Sequence, residues 1–92
     1  MIKGFRSRET EMLFNTGRSL MFQSVEKVAI RKLEVLNAAT DLGELAINPG
    51  NQLEQLKGAR AGQYSIRINR QWRLCFKWSN GDAEDVEIVD YH

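Results

Sequence analysis

A chain of 92 residues supplies one hydrophobic core, because two half-length domains would each sit near the limit of independent stability, so residues 1–92 are expected to form a single domain. With 42% hydrophobic and 27% charged residues the composition is globular, no uncharged stretch approaches the roughly 20 apolar residues of a bilayer span, and early charge leaves no room for a signal peptide; a cytoplasmic protein without membrane contact is expected. A single cysteine, Cys75, and a single histidine, His92, exclude an internal disulfide framework and the usual Cys/His zinc cages, and no metal or other cofactor is expected.

In chain order, Met1 to Phe5 reads as a short opening strand anchored by Ile2 and Phe5. Ser7 offers an N-cap hydroxyl, with Glu9 and Glu11 where the helix dipole favours negative charge. A helix follows to about Asn15, and Gly17 stops it. Ser24 is expected to cap a second, longer helix in which Val25, Val28, Ala29, Leu33, Leu36 and Ala39 recur at helical spacing. Thr40 to Ala46 adds a further turn, and Asn48-Pro49-Gly50-Asn51 is a turn that ends the helical half.

The remainder reads as sheet. Leu53 to Leu56 is a short strand. Gln63 to Asn69 alternates, with Tyr64, Ile66 and Ile68 on one face and Ser65 and Arg67 on the other. Trp72 to Trp78 does the same, placing Trp72, Leu74, Phe76 and Trp78 opposite Arg73, Cys75 and Lys77, and Asn69-Arg70-Gln71 joins the two into a hairpin. Asn80-Gly81 is a second hairpin turn before a last strand around Val86, Ile88 and Val89. The order describes an α+β domain with two helices packed on one face of a twisted antiparallel sheet. The other face is expected to be exposed, concave and basic.

Charge is distributed in blocks. Residues 1–56 balance seven basic against seven acidic side chains, whereas Lys57, Arg60, Arg67, Arg70, Arg73 and Lys77 form a run without a carboxylate between them, and Asp82, Glu84, Asp85, Glu87 and Asp90 follow. Clustered cations repel one another unless an anion is recruited, and Arg, four of these six, suits phosphate through its planar bidentate donors. The alternative is that the strands solvate the charge, or pair it across the sheet with acids such as Glu84 and Glu87. The densest group able to move a proton is Asp90-Tyr91-His92, which Glu54 can join. RNA carries its own nucleophile, the 2′-hydroxyl, so cutting it without a metal requires only a base, an acid and cations to stabilise the phosphorane.

The stretches Gly50-Asn51-Gln52-Leu53, Leu56-Lys57-Gly58, Arg60 to Asn69, Trp72-Arg73 and the closing Asp90-Tyr91-His92 resemble the HigB toxins of the RelE/ParE superfamily of type II toxin-antitoxin systems, most closely the GraT-like branch. The resemblance extends along the whole chain. It implies a RelE-like fold and a metal-independent, ribosome-dependent endoribonuclease that cuts mRNA in the decoding site. It also implies a helix-turn-helix, HigA-type antitoxin, through which alone operator DNA is bound, often away from the active site; contacts on residues 1–50 are therefore expected. Carried over residue by residue, Lys57, Arg60, Arg67, Arg70 and Arg73 resemble ribosome and RNA contacts, and Asp90, Tyr91 and His92 resemble the catalytic end; Lys77, in the same basic run, is expected to bind RNA with them, and Arg73 to stabilise the transition state at the scissile phosphate. Several relatives have a His in the strand before Leu-Lys-Gly, where this chain has Glu54. Superfamily members of the ParE kind share the fold and inhibit gyrase, and a non-catalytic basic domain is the third reading.

Overall fold

The computed structural model describes residues 1–91, and His92 lies outside the described residues. Helix α1 (Arg8–Thr16) begins at Ser7, whose hydroxyl accepts from the Thr10 N–H, and ends at Gly17, left-handed at φ 78° with its N–H on the Leu13 carbonyl. Helix α2 (Glu26–Ala38) buries Ala29, Leu33 and Leu36, and the short α3 (Leu42–Ile47) starts from the Asp41 carboxylate, which accepts from the Glu44 N–H. Strands β1 (Glu54–Gln55), β2 (Gln63–Arg67), β3 (Trp72–Ser79) and β4 (Asp82–Asp90) form an antiparallel sheet in sequence order. Ile66, Leu74, Phe76, Val86 and Ile88 meet Leu13, Phe22, Leu33, Leu36 and Leu45 in the core. Phe22 packs edge-on against Trp72, with ring centroids 5.3 Å apart. Three α-helices thus cover the sheet, where the sequence pattern had suggested two.

The β4 edge is closed by the start of the chain. Met1 to Phe5 forms two isolated parallel bridges, Ile2 to Ala83 and Phe5 to Val86, rather than a full strand; the Ala83 and Val86 N–H groups donate to the carbonyls of Met1 and Gly4. Beyond the reach of this segment, the Ile88 N–H donates to the buried Thr10 hydroxyl of α1 at 3.0 Å. An edge strand that would otherwise offer unpaired backbone groups is therefore satisfied along its outer side.

Two local expectations give way. Ser24 does not cap α2. The helix is entered through a 3₁₀ turn, Gln23–Val25, without a side-chain cap, and the Glu26 carboxylate instead reaches back to the Ser19 N–H at 3.1 Å. The last strand is longer than its apolar residues suggested because it contains a bulge: the register slips between Cys75 and Lys77, with Asp85 left-handed at φ 51°. The inserted residue lets Ala83 and Val86, three apart, both face the core. The Asn80-Gly81 turn has positive φ at both residues, 52° and 83°, as a two-residue hairpin of this twist demands. A side chain at Gly81 would also crowd the Thr40 carbonyl.

The larger correction concerns the second sheet face. It is not an open basic surface. Ser65 and Cys75 are fully buried on it and Arg73 is 7% exposed, because the segment between β1 and β2 folds toward it. Arg60 stretches from Gln63 on β2 (3.2 Å) to Glu87 on β4 (2.8 Å), and so crosses β3.

Replacing Thr10 with Val keeps the shape and removes the acceptor of the Ile88 N–H, a loss of about 1–3 kcal/mol for a buried donor left unpaired. Urea unfolding is expected to show Thr10→Val less stable by that amount and Thr10→Ser close to wild type. An unchanged Thr10→Val midpoint contradicts the edge-closing role.

Candidate nucleic-acid interface

Helix α2 and the turn after α3 set the floor of the site. Asn51, fully buried in the 3₁₀ turn Pro49–Asn51, accepts from Lys32 Nζ at 2.6 Å and donates to the Leu45 carbonyl at 2.9 Å. Burial, and secondarily Arg31, pull the Lys32 pKa below the ordinary lysine value. This clamp delivers the next residue, Gln52, to the sheet. There the Arg73 guanidinium donates through Nε to the Ser65 hydroxyl at 2.7 Å and through Nη2 to the carbonyls of Gln52 and Ser65, while Nη1 lies 3.5 Å from the Glu54 carboxylate. The Tyr91 ring lies over the guanidinium, with its centroid 5.7 Å from Cζ.

Above that network opens a cleft of about 410 Å³ lined by Gln52, Arg67, Asn69, Arg70, Arg73 and Tyr91. Arg67 and Arg73 are direct cross-strand partners, an arrangement of like charges that destabilises a sheet unless another interaction offsets it. Arg67 is half-buried, its Nε donating to the Asn69 carbonyl at 3.2 Å. The Asn69 side chain shapes the hairpin turn by accepting from the N–H groups of Gln71 and Trp72, which leaves Arg70 exposed at the tip.

The six cations of the basic run therefore divide. Arg60 and Lys77 pair with Glu87 and Asp85 at 2.8 and 3.3 Å and do not line the cleft. The hydrogen bond to Glu87 raises the Arg60 pKa further, against the opposing effect of burial. Lys57 is exposed. Among the described residues, no carboxylate lies within ion-pair distance of Lys57, Arg67 or Arg70. Cys75 is fully buried, and burial pushes its thiol pKa up against the opposing effect of Arg60 and Arg73, a setting that disfavours the reactive thiolate.

The acid-base candidates divide as well. Glu54 is half-exposed beside Arg73 and does not itself line the cleft. Tyr91 enters the cleft, its N–H held by the Gln71 carbonyl at 2.7 Å. Asp90 is the cross-strand partner of Trp72, so it projects from the helix-covered face, where its carboxylate accepts from Gln71 Nε2 at 3.0 Å. Gln52 and Asn69 are cleft residues that charge counting passes over. Asn69 reads in the sequence as part of a hairpin connection, and both lie in stretches that carry the family resemblance, but neither is assigned a role at a site there.

Removing the Ser65 hydroxyl leaves the buried Arg73 Nε–H without its acceptor. Ser65→Ala is expected to lower stability by about 1.5–3 kcal/mol, the range for hydrogen bonds to charged groups, in chemical unfolding. A midpoint equal to wild type means that Arg73 is not held by this network.

Comparison with known proteins agrees with this architecture. Residues 3–92 match the family described as the RelE-like toxin of type II toxin-antitoxin system HigB. Toxin HigB-1 of Vibrio cholerae is 47% identical over 64 residues, 70% of this chain and 67% of that protein. Endoribonuclease HigB of Proteus vulgaris is 36% identical over the whole of both chains. In fold, the chain is similar to the YoeB-YefM complex from Staphylococcus aureus (TM-score 0.58, 22% identity, covering 100% of this chain and 98% of that one). It is also similar to the YoeB/ParE toxin from Agrobacterium tumefaciens (TM-score 0.57, 18% identity, covering 99% and 100%). With a family match across nearly the whole sequence and a full-length relative above 30% identity, this chain belongs to the HigB family of RelE-like toxins of type II toxin-antitoxin systems.

Proposed function

We propose that this toxin is a ribosome-dependent, metal-independent endoribonuclease that cuts mRNA in the decoding site, thereby inhibiting translation and growth. The observation that carries the reading is the cross-strand juxtaposition of Arg67 and Arg73 under the exposed Arg70, in a cleft roofed on one side by Tyr91. Like charges so placed are relieved by a phosphate backbone, and an aromatic face beside them suits an unstacked base. Arg67, Arg70 and Lys57 dock the RNA and the ribosome. Arg73 is the cation at the scissile phosphate, its remaining donor capacity directed by the Ser65 and Gln52 bonds.

In the proposed reaction a base removes the 2′-hydroxyl proton, the 2′-oxygen attacks the adjacent phosphorus, and the 5′-oxygen of the next nucleotide leaves with a proton from an acid. Glu54, 3.5 Å from Arg73, takes the first role in place of the histidine of several relatives. The chain end Tyr91-His92 supplies the second, Asp90 itself projecting from the helix-covered face. Arg60 and Lys77, paired with β4 acids, shape the face around the cleft and contribute to docking only at its margin. Full-length similarity to a protein named Endoribonuclease HigB supports RNA cleavage over gyrase inhibition or passive binding.

The partner in this reading is a helix-turn-helix antitoxin of the HigA type, which brings the toxin to operator DNA. Its seat is the helical side. There Met12, Leu20 and Met21 are exposed, Leu20 by 89%, around a groove of about 500 Å³ between Thr16, Arg18, Gln23 and Glu26. An apolar patch rimmed by charge is the usual form of a protein-binding surface, and its occupation leaves the cleft open.

Primer extension on mRNA from cells briefly expressing the wild-type chain is expected to show cuts within translated codons. Glu54→Gln and His92→Ala are expected to slow single-turnover cleavage on purified ribosomes by about 10²- to 10⁴-fold. Arg70→Ala is expected to weaken ribosome binding and to reduce its salt slope by about one unit. Absence of cuts with the wild type overturns the nuclease reading; unaltered salt dependence in Arg70→Ala overturns the docking face.

A further inference from the structure

We infer that Gln52 is a specificity-determining residue, its carboxamide reading the edge of the nucleobase held in the cleft; the inference rests on the nuclease reading above. Among the described residues three that are not glycine adopt positive φ: Gln52, Asn80 and Asp85. Each has a local cause. Asn80 makes a hairpin turn and Asp85 a bulge, and their short side chains suit that conformation. Gln52, at φ 43° and ψ 57°, is the left-handed cap of the 3₁₀ turn Pro49–Asn51, a position that glycine usually takes and would occupy without strain.

The left-handed backbone is imposed from both sides. The Gln52 N–H donates to the Pro49 carbonyl at 3.1 Å, and its own carbonyl accepts from Arg73 Nη2. Asn51, locked by Lys32 and Leu45, fixes the approach. Strain at a non-glycine residue that the surroundings over-determine is characteristic of ligand clamps. Here it holds Gln52 at the cleft wall, in company with Arg67, Arg70, Arg73, Asn69 and Tyr91.

The chemistry of that wall singles Gln52 out. Three of the lining residues are cations, suited to phosphate rather than to a base edge. Tyr91 offers a face, which every base accepts equally. Asn69 already spends its carboxamide oxygen on the N–H groups of Gln71 and Trp72. Among the described residues the Gln52 carboxamide makes no hydrogen bond, so it brings both a donor and an acceptor, the adjacent pair that a base edge presents in complementary order.

The test is a transcriptome-wide map of 5′ ends from cells briefly expressing wild type, Gln52→Ala or Gln52→Gly, scored as the ratio of cuts among the four nucleotides at the cleaved position. The wild type is expected to show a preference that falls about tenfold in both variants, the scale of one lost bidentate contact. Gln52→Gly relieves the left-handed strain, and its thermal unfolding at or above the wild-type midpoint separates lost reading from lost fold. A wild type that cuts, with variants that keep the same nucleotide ratios, overturns the inference alone. A wild type that does not cut overturns the nuclease reading and this inference with it.

Discussion

The structure of the basic face depends on one buried guanidinium. Arg73 is 7% exposed on a sheet face, and a cation there is tolerable only because its donors are matched to the Ser65 hydroxyl and to the carbonyls of Ser65 and Gln52, with the Glu54 carboxylate 3.5 Å away. Those same bonds tie three parts of the chain together. β2 carries Ser65, β3 carries Arg73, and the turn that follows α3 carries Gln52. The cleft exists where they meet.

That anchoring explains how a chain with net charge +1 presents a localised cationic site. The runs of positive and negative charge lie in adjacent strands, so the fold brings Arg60 against Glu87 and Lys77 against Asp85. The exposed Lys77 to Asp85 pair contributes little stability, whereas the Arg60 to Glu87 pair is partly buried. Their effect is spatial: they remove charge from the flank of the face and leave it concentrated at Arg67, Arg70 and Arg73. On the opposite side of the sheet the helices leave Met12, Leu20 and Met21 in solvent. In the proposed reading, RNA and antitoxin then take opposite sides of the molecule.

Much of this was legible in the sequence, for definite reasons. Period-two alternation in residues 63–69 and 72–78 assigned Leu74 and Phe76 to one face and Arg73 and Cys75 to the other, as the register and the make-up of the helix-packed core bear out. Helical spacing found Ala29, Leu33 and Leu36, and Ser7 and Gly17 bounded α1. Alternation says which face a residue takes and nothing of what covers that face, so the burial of Ser65 and Cys75 escaped it. The Arg60 to Glu87 bond joins residues 27 apart in sequence and leaves no local trace. The bulge at Asp85 breaks the very period used to find strands. Asp90, grouped in sequence with Tyr91, parts from it in space because consecutive strand residues point to opposite faces. Gln52 stands within a stretch that carries the resemblance, but its place in the cleft follows from the left-handed cap of the turn before β1, which no local pattern announces.

The central claim, that a hydrogen-bonded and buried Arg73 organises the cleft, is tested most directly by hydrogen exchange at its side chain. In ¹⁵N-labelled protein, the Arg73 Nε–H is predicted to give a resolved resonance that exchanges far more slowly than that of exposed Arg70, with the protection lost in Ser65→Ala while the backbone amides of β2 and β3 stay protected. An Arg73 Nε–H that exchanges as fast as that of Arg70 in the folded wild type would contradict the account.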